Sequence, residues 1–351
     1  MNKNGFFEKC FSTKRQDKAE CLIIAEIAQA HDGSLGAAHA FIDAVGDAGA
    51  DAVKFQTHIA RAESTLDEPW RVNFSFQDDT RYDYWKRMEF TEEQWLELAE
   101  HARKRNLIFL SSPFSVDAVK MLDRIGMPVW KIASGEISNM ELMESIWATG
   151  KPVLFSTGLC DLDKLDTVVE LTRSKKVPFG IFQCTSEYPC QPENWGLNLI
   201  DELRKRYNCP VGLSDHSGDI YAGLAAVALG ADFIEVHVTF SRQMFGPDVA
   251  ASVTLEELGT LVQGVNQIRD SLNSPVQKNI MTKEMSDLEN IFGRSLALRE
   301  DLPAGTIVKR EDMTLKKPGT GIPYSRVNDL SGKRLRHDKA AVHLLKEEDF
   351  E

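Results

Sequence analysis

The chain has 351 residues, a hydrophobic fraction of 42% and a net charge of −12. That length suits about two domains, with ample apolar material for a core. The acidic balance argues against a general nucleic-acid or anionic-membrane binder, which needs a basic face, and no apolar run approaches the length of a transmembrane helix. Residues 1–20 lack the apolar core and cleavage pattern of a signal peptide, and read as a polar extension. Cys10, Cys21, Cys160, Cys184, Cys190 and Cys209 make no CxxC pair, which suits reduced thiols in a cytoplasmic protein.

From Cys21 onward short apolar runs alternate with helical patterns. CLIIAEIA (21–28) is the first run and DAVKFQT (51–57) the second, with LGAAHAFIDAVGDAGA between them. A polar, aromatic-rich stretch from His58 to about Arg87 interrupts the alternation. Thr91 then N-caps a helix running to Arg105. Further runs follow at 107–112, 127–134, 152–157 and 177–185, separated by amphipathic segments. The last two, PVGLS and DFIEVHV, flank the Ala-rich YAGLAAVALGA. Eight strand–helix repeats over about 250 residues form the pattern of an α/β TIM barrel, here residues 21–275. The competing doubly wound sheet lacks a G-x-G-x-x-G after the first run. Residues 276–291 read as a polar linker. Residues 292–351 read as a small β-rich domain punctuated by turns such as PAG and PGTG.

In such a barrel the chemistry gathers at the C-terminal ends of the strands. The last two runs finish on His216 and His237, on neighbouring strands roughly 5 Å apart. That suits one divalent metal ion with open positions; the alternative is two hydrogen-bonded surface histidines. Asp215 and Glu235 beside them either orient the imidazoles or are solvated. Glu26 ends the first run, with His31 in the next loop. Lys54 and Gln56 share a parity that points both inward. Ser111, Ser112, Lys131, Ser134, Glu136, Ser156, Thr157, Thr185, Ser186, Tyr188 and Ser214 complete the rim. Two lysines inside apolar runs are costly unless they meet an anion. With the hydroxyls they suit a phosphate and a carboxylate. An ion pair to Glu26, Glu136 or Glu235 is the alternative for either lysine alone.

The segments IIAEIAQAHDGSL, GADAVKFQT, WKIASGE, FSTG, QCTSEYP, GLSDHS, ALGADFIEVH and GPD resemble, in order and spacing, the sialic acid synthase (NeuB-like) family. FGRSL, LPAGT and KKPGTGIP resemble that family's antifreeze-like SAF domain, a β-clip fold. The resemblance covers nearly everything from Cys21 to the end. It implies condensation of phosphoenolpyruvate with an N-acetylated hexosamine, such as N-acetylmannosamine, to a nine-carbon 2-keto acid and phosphate. It also implies a domain-swapped homodimer whose small domain caps the partner's site. His216 and His237 match the metal-binding histidines, usually holding Mn²⁺, with Mg²⁺ or Co²⁺ as alternatives. Lys54, Ser112, Lys131, Ser134, Ser156, Ser186 and Ser214 match the phosphoenolpyruvate pocket, and Glu26, Tyr188 and Asp248 the sugar side. Glu26 and Glu136 are the candidates to handle water and protons. The chain departs from the family at Ala30, Ser186, Val236 and Lys317, where Asn, Asn, Arg and Arg are common. Lys317 takes the place of an arginine that touches the sugar's acyl group. Rival readings are a legionaminic or pseudaminic acid synthase, a Schiff-base lysine aldolase, and a non-catalytic binding protein on a barrel scaffold.

Overall fold

The computed structural model describes Phe7, Cys10, Phe11 and residues 20–351, so the expected extension over residues 1–20 lies almost wholly outside the described residues. The chain divides into two compact units, one through Pro275 and one from Val276.

The first unit is a nearly closed barrel of eight parallel strands. These are β1 (Leu22–Ala28), β2 (Ala52–Thr57), β3 (Ile108–Pro113), β4 (Trp130–Ile132), β5 (Val153–Ser156), β6 (Phe179–Cys184), β7 (Val211–Asp215) and β8 (Phe233–Thr239). Their order is β3-β2-β1-β8-β7-β6-β5-β4. Helices connect them, and their starts follow local capping chemistry: the Thr91 and Ser115 side chains accept backbone N–H bonds from Gln94 and Ala118. Gly126 ends the 116–125 helix at φ 92°, a left-handed position that favours glycine.

Strand alternation builds both the core and the site. On one parity Ile23, Ala25, Val53, Phe55, Phe109, Trp130, Ile132, Val153, Phe155, Ile181, Val211, Leu213, Ile234 and Val236 are buried in the layer between strands and helices. On the other, Leu22, Ile24, Ala52, Ile108, Leu110, Val129, Leu154, Phe182 and Phe233 fill the barrel interior. Phe7 joins that inner cluster and stacks on Phe233 at 6.4 Å. Continuing the same inward parity up each strand gives Glu26, Lys54, Gln56, Ser112, Lys131, Ser156, Ser214, Glu235 and His237. The interior is therefore apolar at one end and charged at the other.

β8 does not end at His237. It runs to Thr239, because a ninth strand, β9 (Ser252–Thr254), pairs with it from His237 onward. No helix of the described residues is long and apolar enough to cross a membrane.

The second unit pairs β10 (Ser295–Leu298) antiparallel with β11 (Met313–Lys316). Leu296, Leu298, Val308, Leu330, Leu335 and Leu345 are among the buried residues of its own core. The segment expected to be a plain linker is helical from Lys283 to Phe292, started by Thr282, whose side chain accepts the Met285 N–H at 3.2 Å.

Candidate active site

Four buried charges form the floor. Lys54 pairs with Glu26 across β1 and β2, and its ammonium lies 3.7 Å from Glu235. Lys131 lies 3.3 Å from the same Glu235 oxygen. All four side chains are 5% exposed or less. Hydroxyls complete the set. Lys54 donates to Ser112 at 3.3 Å and Lys131 to Ser156 at 2.6 Å, while Ser214 donates to Glu235 at 3.1 Å. The two lysines are thus paired in this structure, as the ion-pair alternative required, and charge is balanced across the quartet.

The carboxyls of this quartet are pushed apart. Burial alone would raise Glu235, but the Lys131 and Lys54 ammonium groups override it and hold it below the ordinary carboxylate range. Glu26 is raised by burial and by the nearby Glu235 charge, with Lys54 pulling against both. Lys54 is held charged despite burial by Glu235 and Glu26. Lys131 is lowered by burial, partly offset by Glu235.

The two histidines stand beside this floor. Their ring centroids are 5.3 Å apart. His216 Nδ1 donates to the Thr185 carbonyl at 2.8 Å, which leaves Nε2 with a free lone pair. Burial, then the neighbouring His237, push the His216 pKa down to about 3, so its ring is neutral at ordinary pH. His237 Nδ1 lies 4.0 Å from Asp248. Tyr188 stacks on His216 at 4.0 Å and meets His237 edge-on. Among the described residues no group of three or more His, Cys, Asp or Glu forms a metal cluster. The donors that fit a metal are two imidazoles, with remaining positions open to water or substrate.

Above the floor opens a cavity of about 760 Å³ lined by Gln29, Gln56, His58, Glu63, Arg71, Ser134, Glu136, Ser186, Tyr188, His237 and Asp248, among others. Ser134 and Ser186 meet at 3.1 Å on its wall. Glu136 sits there too, accepting a 2.8 Å bond from Asn139, and its carboxyl is raised by burial. It lines the outer wall and has no contact with the quartet. Gly158 approaches so closely that a Cβ there would collide with the Ser186 hydroxyl and come within 3.0 Å of Cys184 Sγ.

Several placements differ from the sequence-based expectation. Asp215 does not orient an imidazole: its carboxylate accepts from the Ser217 N–H and hydroxyl, and burial raises its pKa to about 6. Glu235 is neither solvated nor an imidazole partner; it is the shared counter-ion of both lysines. His31 is buried against Phe90 and accepts the Gly33 N–H, off the site. Lys317 lies in the second unit, where the sequence placed it, its ammonium 5.2 Å from the Phe292 ring centroid.

Sequence reasoning missed one polar chain. His58, stacked between Trp85 and Phe114, has Nδ1 at 2.5 Å from Glu63. Its Nε2 faces the Gln29 amide nitrogen at 2.8 Å, which also donates to Gln56 Oε1 at 2.6 Å. Gln56 in turn donates to Glu26 at 3.0 Å. With the His58 proton on Nδ1, each link of this relay pairs one donor with one acceptor. Only the inward parity of Gln56 was readable in advance.

The sequence profile of the NeuB family matches residues 41–277, and that of the SAF domain residues 293–351. The chain belongs to the NeuB family. An N,N'-diacetyllegionaminic acid synthase from Campylobacter jejuni is 31% identical over 93% of this chain and 99% of its own length. The N-acetylneuraminate-9-phosphate synthase of Mus musculus is 32% identical over 91% of this chain and 89% of its own. A crystal structure of an N-acetylneuraminic acid synthetase from Leptospira borgpetersenii, in complex with citrate, has 33% identity. It aligns with a TM-score of 0.67 over 77% of this chain and 90% of that one. This NeuB-family chain is therefore an enzyme related to sugar-acid synthases, with a barrel followed by a SAF domain.

Proposed function

We propose that the protein condenses phosphoenolpyruvate with an N-acetylated hexosamine, such as N-acetylmannosamine, giving a nine-carbon 2-keto acid and phosphate. The observation that carries this reading is the buried Glu26–Lys54–Glu235–Lys131 quartet under a cavity with two adjacent imidazoles. A trianionic substrate can draw the two ammonium groups from their carboxylates, with Ser112, Ser134, Ser156, Ser186 and Ser214 supplying hydroxyl donors. A cavity of about 760 Å³ has room for both substrates.

C3 of the enol attacks the open-chain sugar aldehyde, and the aldehyde oxygen takes a proton and becomes a hydroxyl. Water adds at C2 and gives up a proton; the tetrahedral intermediate then expels phosphate and leaves the ketone. Glu26 is the proton-handling group of the quartet: its carboxyl is raised where that of Glu235 is lowered, and the relay from His58 through Gln29 and Gln56 fixes its orientation. Glu136 stands ready on the outer wall for the sugar side. Tyr188 and Asp248 position the sugar. His216 and His237 would hold a divalent ion, Mn²⁺ with Mg²⁺ or Co²⁺ as substitutes, and that ion would supply Lewis acidity toward the aldehyde oxygen. Lys317, on the SAF domain, acts on the partner's site within a domain-swapped dimer.

A legionaminic acid synthase is the second reading, favoured by the Campylobacter jejuni relative. Purified protein with phosphoenolpyruvate, Mn²⁺ and a panel of hexosamines decides between them: phosphate release and product mass identify the acceptor. If no hexosamine releases phosphate, both readings fail. Covalent trapping by borohydride with a keto acid would instead point to a lysine aldolase.

A further inference from the structure

Beyond Glu63, the aromatic-rich stretch that leads to the helix Arg81–Met88 has no task in the reaction as described above. It packs as a small cluster of its own: Trp70 and Phe74 lie on Tyr84 at 5.8 and 5.1 Å. Phe74 also reaches Phe245, in the loop after β8, at 6.3 Å. Arg71 sits between these two anchored rings and lines the cavity.

We propose that Arg71 is a positioning residue for the acceptor sugar, clamping Tyr188 and Asp248 together from the mouth of the cavity. The proposal rests on the functional reading above. One Arg71 nitrogen, Nη2, donates to Asp248 Oδ1 at 2.6 Å and to the Pro247 carbonyl at 3.2 Å. The guanidinium carbon lies 4.4 Å from the Tyr188 ring centroid. Tyr188 is the residue stacked on His216, and Asp248 faces His237. A single side chain therefore touches both groups that flank the imidazole pair.

The contact is built for arginine. A planar guanidinium can lay its face on a ring while its edge donates to a carboxylate and a carbonyl, which an ammonium cannot do. An exposed ion pair contributes little to stability, and Arg71 is 41% exposed. Its consequence is geometric. Asp248 is only 16% exposed, with one carboxylate oxygen held by Arg71 and the other 4.0 Å from His237 Nδ1; without Arg71 the carboxylate is free to turn toward the imidazoles. Arg71 Nε and Nη1 have no hydrogen-bond partner among the described residues, which leaves donors for an acceptor oxygen.

The test compares the parent with Arg71→Ala and Arg71→Lys in full-length protein. Arg71→Ala should raise KM for the acceptor by roughly tenfold or more while KM for phosphoenolpyruvate stays within about twofold. Arg71→Lys should fall between, keeping the charge beside Asp248 but losing the flat face on Tyr188. A merely structural role would move both KM values together, and that result overturns the proposal, as does an acceptor KM within about twofold of the parent in Arg71→Ala. A second readout needs no turnover. Histidine ring resonances are recorded with isotope-labelled histidine and Mg²⁺, and assigned with His216→Ala and His237→Ala. Both should shift in Arg71→Ala as the Tyr188 ring and Asp248 move. If the parent condenses no hexosamine at all, the functional reading fails separately, and unmoved resonances then overturn the role of Arg71.

Discussion

Glu235 carries more of the site than any other side chain, because both lysines lean on it. Glu235→Gln leaves two buried ammonium groups short of a counter-ion, a lesion that costs about 3–5 kcal/mol. Denaturant unfolding at pH 7 should show that loss. The pH dependence has a definite sign. The lysines lower the folded Glu235 value, so the stability it contributes is complete above its ordinary 4.5 and is lost as pH falls through the lowered folded value. Glu235→Gln should therefore flatten the stability curve on the acid side of 4.5; a curve as steep as the parent's would show that Glu235 is not the titrating counter-ion. Lys54→Ala tests the substrate role: losing a charge-assisted contact to an anion costs roughly 1.5–3 kcal/mol, so phosphoenolpyruvate should bind more than about tenfold weaker by calorimetry. The partnership itself was not legible in the sequence. Glu26, Glu136 and Glu235 were equal candidates to meet the lysines, and only cross-strand register chose between them. Glu26 lies opposite Lys54, and Glu235 reaches across from β8. Arg71 was hidden for another reason: nothing periodic marks a residue on an irregular insert.

Strands are where the chain is most readable. A two-residue period on β8 sets Phe233, Glu235 and His237 on one face, and the same rule on β1 and β2 delivers Glu26, Lys54 and Gln56. Strand ends were less legible: β8 overshoots His237 because β9, which follows a long loop, extends its pairing. The helix Lys283–Phe292 was missed because its exposed surface mixes charged and apolar residues, so it reads as a linker. The histidines on β8 and just after β7 predict a metal measurement. His216→Ala and His237→Ala should each lose bound Mn²⁺ by elemental analysis of dialysed protein, since two imidazoles leave no spare nitrogen. Full Mn²⁺ occupancy in both variants would place the ion elsewhere. The loops after β5 and β6 meet at Gly158 and Ser186, with no room for a methyl group. Gly158→Ala should displace Ser186 and lower kcat/KM by roughly tenfold or more, because a small misplacement of binding groups is costly. Unaltered kinetics would mean that Ser186 is a bystander.

The two units have separate cores, so the barrel and the SAF domain can be probed separately. Mixing His216→Ala chains with Lys317→Ala chains tests whether the SAF domain serves the partner's site. If it does, mixed dimers hold one intact site, and activity should exceed that of either variant alone once subunits exchange. No recovery despite demonstrated exchange would confine Lys317 to its own barrel or remove it from the reaction. In the proposed reaction water adds at C2, the electron-poor centre left when the enol has formed the new C–C bond, and phosphate leaves with its bridging oxygen. The most direct measurement uses phosphoenolpyruvate labelled with heavy oxygen between C2 and phosphorus, incubated with the protein, Mn²⁺ and the accepted hexosamine. The released phosphate should carry the label, and a nine-carbon 2-keto acid should appear in equal amount. Unlabelled phosphate, or phosphate release without that product, would contradict the proposed reaction.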